Sequence, residues 1–154
     1  VRTFGTFAPS QIIRRLAHPP GIRHHGAMQE TPRLLPALAA FNAILALTFG
    51  TFAAHGIKDP QAREWIMTGV IFQLPHVAAV FALLGWRNSR AVHYGAWALA
   101  IGSLIFATVL NMLALGAPRG VAAFAPIGGT LMMLGWVWIA LLALAGDRLN
   151  RIGF

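Results

Sequence analysis

Four long apolar runs, at residues 34–54, 65–86, 92–115 and 122–145, fill most of this chain, and none of them contains Asp, Glu, Lys or Arg. A helix needs about 20 residues, each rising 1.5 Å, to cover the roughly 30 Å hydrocarbon core of a bilayer. All four runs are long enough. Inside lipid every backbone amide must find its partner within its own helix or barrel, so four membrane-spanning helices are expected. Only short charged or turn-forming links separate them, and short links force antiparallel neighbours. The expected fold is therefore all-α, an up-down antiparallel bundle of four transmembrane helices.

Local chemistry punctuates the runs in the same way. Pro36 stands in the opening turn of the first span, where its missing amide hydrogen is not needed. Lys58, Asp59 and Pro60 make a polar turn after it. Trp65 and Trp86 bracket the second span, one indole for each interface. Gly95, Ala98 and Gly102 recur at three- and four-residue spacing on the third span, a small-residue stripe that lets a neighbouring helix approach closely. Residues 116–120 suit a hairpin turn, and Pro126 falls in the first turns of the fourth span, followed by Gly128, Gly129 and Gly135.

The depth of the polar residues matters more than their number. Counting about 1.5 Å per residue from the span ends places Asn42, Gln73, His76 and Ser103 close to the midplane. Trp65, Gly69, Gln73 and His76 share one face of the second span, and Pro75 frees a backbone carbonyl beside them. Such side chains are expected to face the interior and hydrogen-bond across helices, with a neutral His76 satisfied by Gln73 or Asn42. Bonds of this kind average only about 0.6 kcal/mol, so they specify register more than they stabilise.

Composition agrees with a membrane class: 57% of the 154 residues are hydrophobic. No link between the spans is long enough for a soluble catalytic domain. There is no cysteine, which excludes disulfides, thiolate metal sites, iron–sulfur clusters and thiol nucleophiles. The formal charge of +8 raises nucleic acid as a partner, but its distribution argues for topology instead. With the N-terminus inside, that side carries Arg2, Arg14, Arg15, Arg23, Arg33, Arg87, Arg90, Arg148 and Arg151, against Lys58, Arg63 and Arg119 opposite. This is the positive-inside asymmetry, and it weakens without changing sign when the N-terminal arm is set aside. We therefore expect N-in, C-in orientation, contact with anionic membrane lipids, and no nucleic acid.

Residues 1–33 form a basic arm, expected to be disordered or a false upstream start, since the chain opens at Val1 and Met28 precedes the first span. A surface-lying basic segment and a targeting peptide are the alternatives. Residues 146–154 are expected to be a cytoplasmic tail.

Candidate chemistry is sparse. A bis-histidine haem needs two imidazoles at one depth, whereas His55, His76 and His93 fall at the outer edge, the centre and the inner edge. No clustered ligands point to zinc, so neither a metal nor a cofactor is expected. His76 and Gln73 allow a small transporter or proton-conducting protein, but no carboxylate lies in any span. Trp97, Trp136 and Trp138 allow a quinone- or lipid-binding subunit, with core packing as the alternative. No serine–histidine–acid set, phosphate loop or HExxH helix occurs, so an enzyme is not expected.

Three strings resemble one family. GTFAAH, ending at His55, resembles the G-A-F-G-A-H signature of small inner-membrane proteins catalogued as domain of unknown function 423. WIMTGVIFQLPH resembles that family's W…T-G-V-x-Y-Q-x-x-H at Trp65, Thr68, Gly69, Val70, Gln73 and His76. APIGGTLMMLGW resembles its T-P-I-G-G…G-W at Pro126, Ile127, Gly128, Gly129, Gly135 and Trp136. The resemblance covers about residues 37–145 in order and spacing. The chain departs from the pattern at Phe106–Asn111, where FATVLN replaces F-S-G-S-L-Y, and at Phe72 and Ala125, where hydroxyls are lost. The resemblance implies a four-helix integral membrane protein with no assigned activity. The candidate polar cluster is thus Asn42, His55, Trp65, Thr68, Gly69, Gln73, His76, Ser103, Pro126, Gly128, Gly129 and Trp136. The expected role is a non-enzymatic accessory or structural component of a bacterial inner membrane, or less simply of a mitochondrial one. Its expected partners are membrane lipids, other membrane proteins or copies of itself.

Overall fold

Caps and turn residues, more than hydropathy, set where the helices begin and end. The computed structural model describes residues 34–87 and 89–151, with side chains as far as residue 146, so the readings made on residues 1–33 and on residues 152–154 lie outside the described residues. The elements are α1 (Leu34–His55), α2 (Pro60–Trp86), α3 (Arg90–Ala114), a 3-10 turn (Arg119–Phe124) and α4 (Ala125–Arg151). Helix α2 starts five residues before the apolar run because Asp59 caps it, accepting from the Ala62 amide at 2.9 Å, with Pro60 in its first turn. Ser89 caps α3 in the same way through Val92 N–H at 3.3 Å. Helix α3 ends in a Schellman motif: Gly116, at φ +91°, lets Ala117 N–H reach Met112 O at 2.9 Å and its own N–H reach Leu113 O at 3.1 Å. The fourth run divides, its first residues winding as the 3-10 turn and the rest as α4, which continues past the expected end at Ala145.

Consecutive helices are antiparallel, as their register shows. Along α3 and α4, Gly95 meets Ile139, Leu99 meets Gly135 and Gly102 meets Gly128, one number falling as the other rises. Along α1 and α2, Asn42 meets Gln73 and Gly50 meets Val70.

The four helices do not close into a ring. Helix α3 packs against α1, α2, α4 and the 3-10 turn, while among the described residues the backbones of α1 and α4 do not approach each other. Helix α3 is accordingly the most buried of the four, and α1 and α4 the least. The reason lies in the placement of small residues on α3. Gly95, Gly102 and Leu99 make one face for α4, and Ala96, Ala100, Ser103 and Ala107 make another, roughly 100° round the helix, for α1 and α2. A Cβ built on Gly102 would lie 2.8 Å from Gly128 O, and one on Gly128 would lie 2.6 Å from Phe106 N, so α3 and α4 meet backbone to backbone. Gly69 gives α2 a similar approach, its added Cβ 3.3 Å from Ala107 Cα. The buried apolar core runs through Leu35, Val77, Val80, Leu83, Val92 and Leu99, with Ile139 reaching it from α4.

Candidate functional site

Three of the midplane polar residues converge. Asn42 on α1, Gln73 on α2 and Ser103 on α3 are all fully buried where the three helices meet. Asn42 Nδ2 donates to Ala100 O at 2.8 Å and to Ser103 Oγ at 3.4 Å, while Ser103 Oγ donates to Ala100 O at 3.2 Å. Gln73 Nε2 donates to Asn42 Oδ1. The Ala100 carbonyl can only accept, so it fixes the Asn42 amide with nitrogen toward α3 and oxygen toward α2. Gln73 must then present its own nitrogen. The circuit therefore has one orientation, and Gln73 Oε1 is left without a partner among the described residues, as is Asn111 Oδ1 further along α3.

His76 is not part of this circuit, which differs from the expected pairing with Gln73 or Asn42. It lies one turn along α2, half-buried, and turns toward α4. Its Nδ1 sits 2.6 Å from Phe72 O, and Trp136 Nε1 donates to its Nε2 at 3.2 Å. A carbonyl cannot donate and an indole N–H cannot accept. His76 is therefore a neutral imidazole with its proton on Nδ1. The two rings meet edge to face at 6.2 Å, and Phe72 and Phe106 do the same at 5.2 Å beside them. This side-chain bridge joins α2 to α4, whose backbones do not otherwise touch.

The remaining candidates scatter. Gly69 and Gly128 serve the close helix approaches described above, whereas a Cβ on Gly129 would meet nothing within 4 Å. Trp65 and Thr68 are half-buried at the rim of the α2 face, and His55 and Pro126 are exposed. The three tryptophans are engaged separately: Trp97 against the core, Trp136 with His76, and Trp138 through Nε1 to Ala91 O at 2.8 Å. His93 Nδ1 lies 2.9 Å from Ser89 O. Among the described residues no group of three or more His, Asp or Glu side chains is placed to hold a metal ion.

Two features escaped the sequence. The Ala100 carbonyl is a backbone group with no signature. Arg63, counted above only as a charge, donates to the carbonyls of Ala53 at 3.0 Å, Ala54 at 3.1 Å and Ile57 at 3.4 Å, and so closes the end of α1. A cation shortly after a helix end was the available signal.

The profile of a family described as a protein of unknown function, DUF423, matches residues 49–129. A UPF0382 membrane protein of Haemophilus influenzae is 34% identical over 108 residues, which is 67% of this chain and 87% of that protein. The UPF0382 inner membrane protein YgdD of Escherichia coli is 33% identical over 129 residues, 80% of this chain and 96% of YgdD. A UPF0382 membrane protein of Staphylococcus epidermidis is 31% identical over 112 residues, 70% of this chain and 92% of that protein. No solved structure matches the chain.

Proposed function

This chain belongs to the DUF423 family of membrane proteins of unknown function, and from that premise we propose that it is a non-enzymatic accessory or structural component of the bacterial inner membrane. The observation that carries this reading is that the side-chain donors among its midplane polar groups are held within the chain, with Gln73 Oε1 the acceptor left over. Asn42, Gln73 and Ser103 bond to one another and to a single backbone carbonyl, and both ring nitrogens of His76 are engaged within the chain. A proton or solute path needs groups that exchange partners along the membrane normal. Here each donor is held by a neighbour that orients it, which suits a part that sets helix register. The arginine asymmetry supports N-in, C-in insertion, with both termini in the cytoplasm. Partners on this reading are lipids, other membrane proteins or copies of this chain.

The test uses the purified full chain in proteoliposomes. Proton and solute flux should equal that of protein-free vesicles, for wild type and for His76→Asn alike. Flux above that level, lost on His76→Asn, establishes a transporter and overturns the proposal. Cross-linking in native membranes should then recover a defined membrane partner or the chain itself. Reporters fused after Phe154 and within residues 58–64 should report opposite sides.

A further inference from the structure

An apolar groove of about 480 Å³ opens on the outer surface where α3, the 3-10 turn and α4 come together. Leu104, Thr108 and Met112 form its α3 wall, Val121 and Phe124 of the 3-10 turn its second side, and Ile127 of α4 its third. We propose that this groove holds one acyl chain of an anionic phospholipid, whose phosphate pairs with Arg119.

The dimensions match a lipid in one leaflet. From Met112 inward to Leu104 is eight residues, about 12 Å at 1.5 Å each, which fits within the roughly 15 Å that one leaflet contributes to the hydrocarbon layer. The groove thus lies within a single leaflet. The occupant's polar end is placed by the same geometry. Arg119 opens the 3-10 turn whose later residues, Val121 and Phe124, line the groove, and it stands exposed in the link between the spans. Arg63 is different: it is already committed to the carbonyls that end α1. An open apolar groove and an exposed cation that begins the 3-10 turn lining it make an amphiphilic pair. A neutral lipid satisfies the groove alone, and a free phosphate satisfies the cation alone. An anionic phospholipid satisfies both. The proposal rests on the chain lying in a bilayer and stands whether or not the accessory role holds.

Native mass spectrometry of the full chain in detergent, titrated with phosphatidylglycerol or phosphatidylcholine, tests it. Wild type should retain one phosphatidylglycerol at energies that strip phosphatidylcholine, with a preference of roughly five-fold, the weight of one basic residue at an anionic surface. Arg119→Gln should erase that preference while leaving weak binding of both lipids. Thr108→Phe, which places a ring in the groove from an exposed position, should abolish the retained lipid with helicity unchanged. Graded lipid adducts that ignore headgroup, or lipid retention untouched by both variants, overturns the proposal. A dimer that Thr108→Phe dissociates also overturns it, by assigning the groove to a second copy.

Discussion

Two neighbouring glycines on α4, Gly128 and Gly129, should respond in opposite ways to the same substitution. A methyl group on Gly128 would sit 2.6 Å from Phe106 N, 2.7 Å from Gly102 O and 3.0 Å from Phe106 Cα. Carbon meets a neighbouring heavy atom comfortably at about 3.5 Å, so α4 must withdraw by about 0.9 Å at the closest point. All three obstacles belong to the α3 backbone and cannot rotate aside. Overpacking of this kind costs about 1–3 kcal/mol. On Gly129 the same methyl group meets nothing within 4 Å. Replacing glycine by alanine inside a helix gains about 0.5–1 kcal/mol at either position, so that gain cancels in the comparison. Gly128→Ala should therefore be about 1–3 kcal/mol less stable than Gly129→Ala, and Gly129→Ala should equal or exceed wild type. Reversible unfolding of the full chain in mixed micelles, titrated with a denaturing detergent and followed by helicity, measures the difference. Coincident curves for the two variants would refute the backbone-to-backbone packing of α3 and α4.

Three further outcomes follow from the polar contacts. Asn42→Leu should insert normally yet lose about 0.6–1.7 kcal/mol in the same titration, because the Gln73 amide is left unpaired. Adding Gln73→Leu should restore most of that loss, a non-additivity that a double-mutant cycle reads directly. Arg63→Gln should fray the last turn of α1, seen as faster amide hydrogen exchange at Ala53 to Gly56, with α3 unaffected. Nitrogen-15 NMR of His76 should find its proton on Nδ1, and Trp136→Phe should leave Nε2 without its donor and shift that resonance alone.

The spans were legible because lipid imposes one rule on every backbone amide and the runs carry no ionic residue to obscure it. Their ends were less so. Hydropathy delays α2 to Trp65, although Asp59 and Pro60 announce its start, because Arg63 and Glu64 follow them in the first turns. The 3-10 turn was hidden for the opposite reason: Val121 to Phe124 are as apolar as the helix they precede. In the site, depth arithmetic brought Asn42, Gln73 and Ser103 to one level, and the structure joins them. The same arithmetic put His76 with them, and the helical-face count did too, because it treats residues three apart as sharing a face. Three residues beyond Gln73 turns the side chain by about 60°, enough to aim it at α4 instead.

That division of faces on α3 has a consequence for how the molecule holds together. Lipid tails are as apolar as leucine, so helices in a bilayer associate through close packing and hydrogen bonds rather than through water expulsion. Helix α3 spends its two resources on different neighbours. Toward α4 and α2 it offers glycine and alanine, which admit backbones to within van der Waals distance along Gly95–Gly102 and at Ala107. Toward α1 it offers the Ala100 carbonyl and the Ser103 hydroxyl, both taken by Asn42. Among the described residues the backbone of α1 does not approach that of α4, and α1 meets α3 over a much smaller interface than α2 does. A polar bond of about 0.6–1.7 kcal/mol is thus a larger share of what retains α1 than of what retains any other helix. Loss of Asn42 should accordingly loosen α1 first, leaving α2, α3 and α4 associated, and selective hydrogen exchange along α1 in Asn42→Leu is the observation that separates this from a uniform loss of stability.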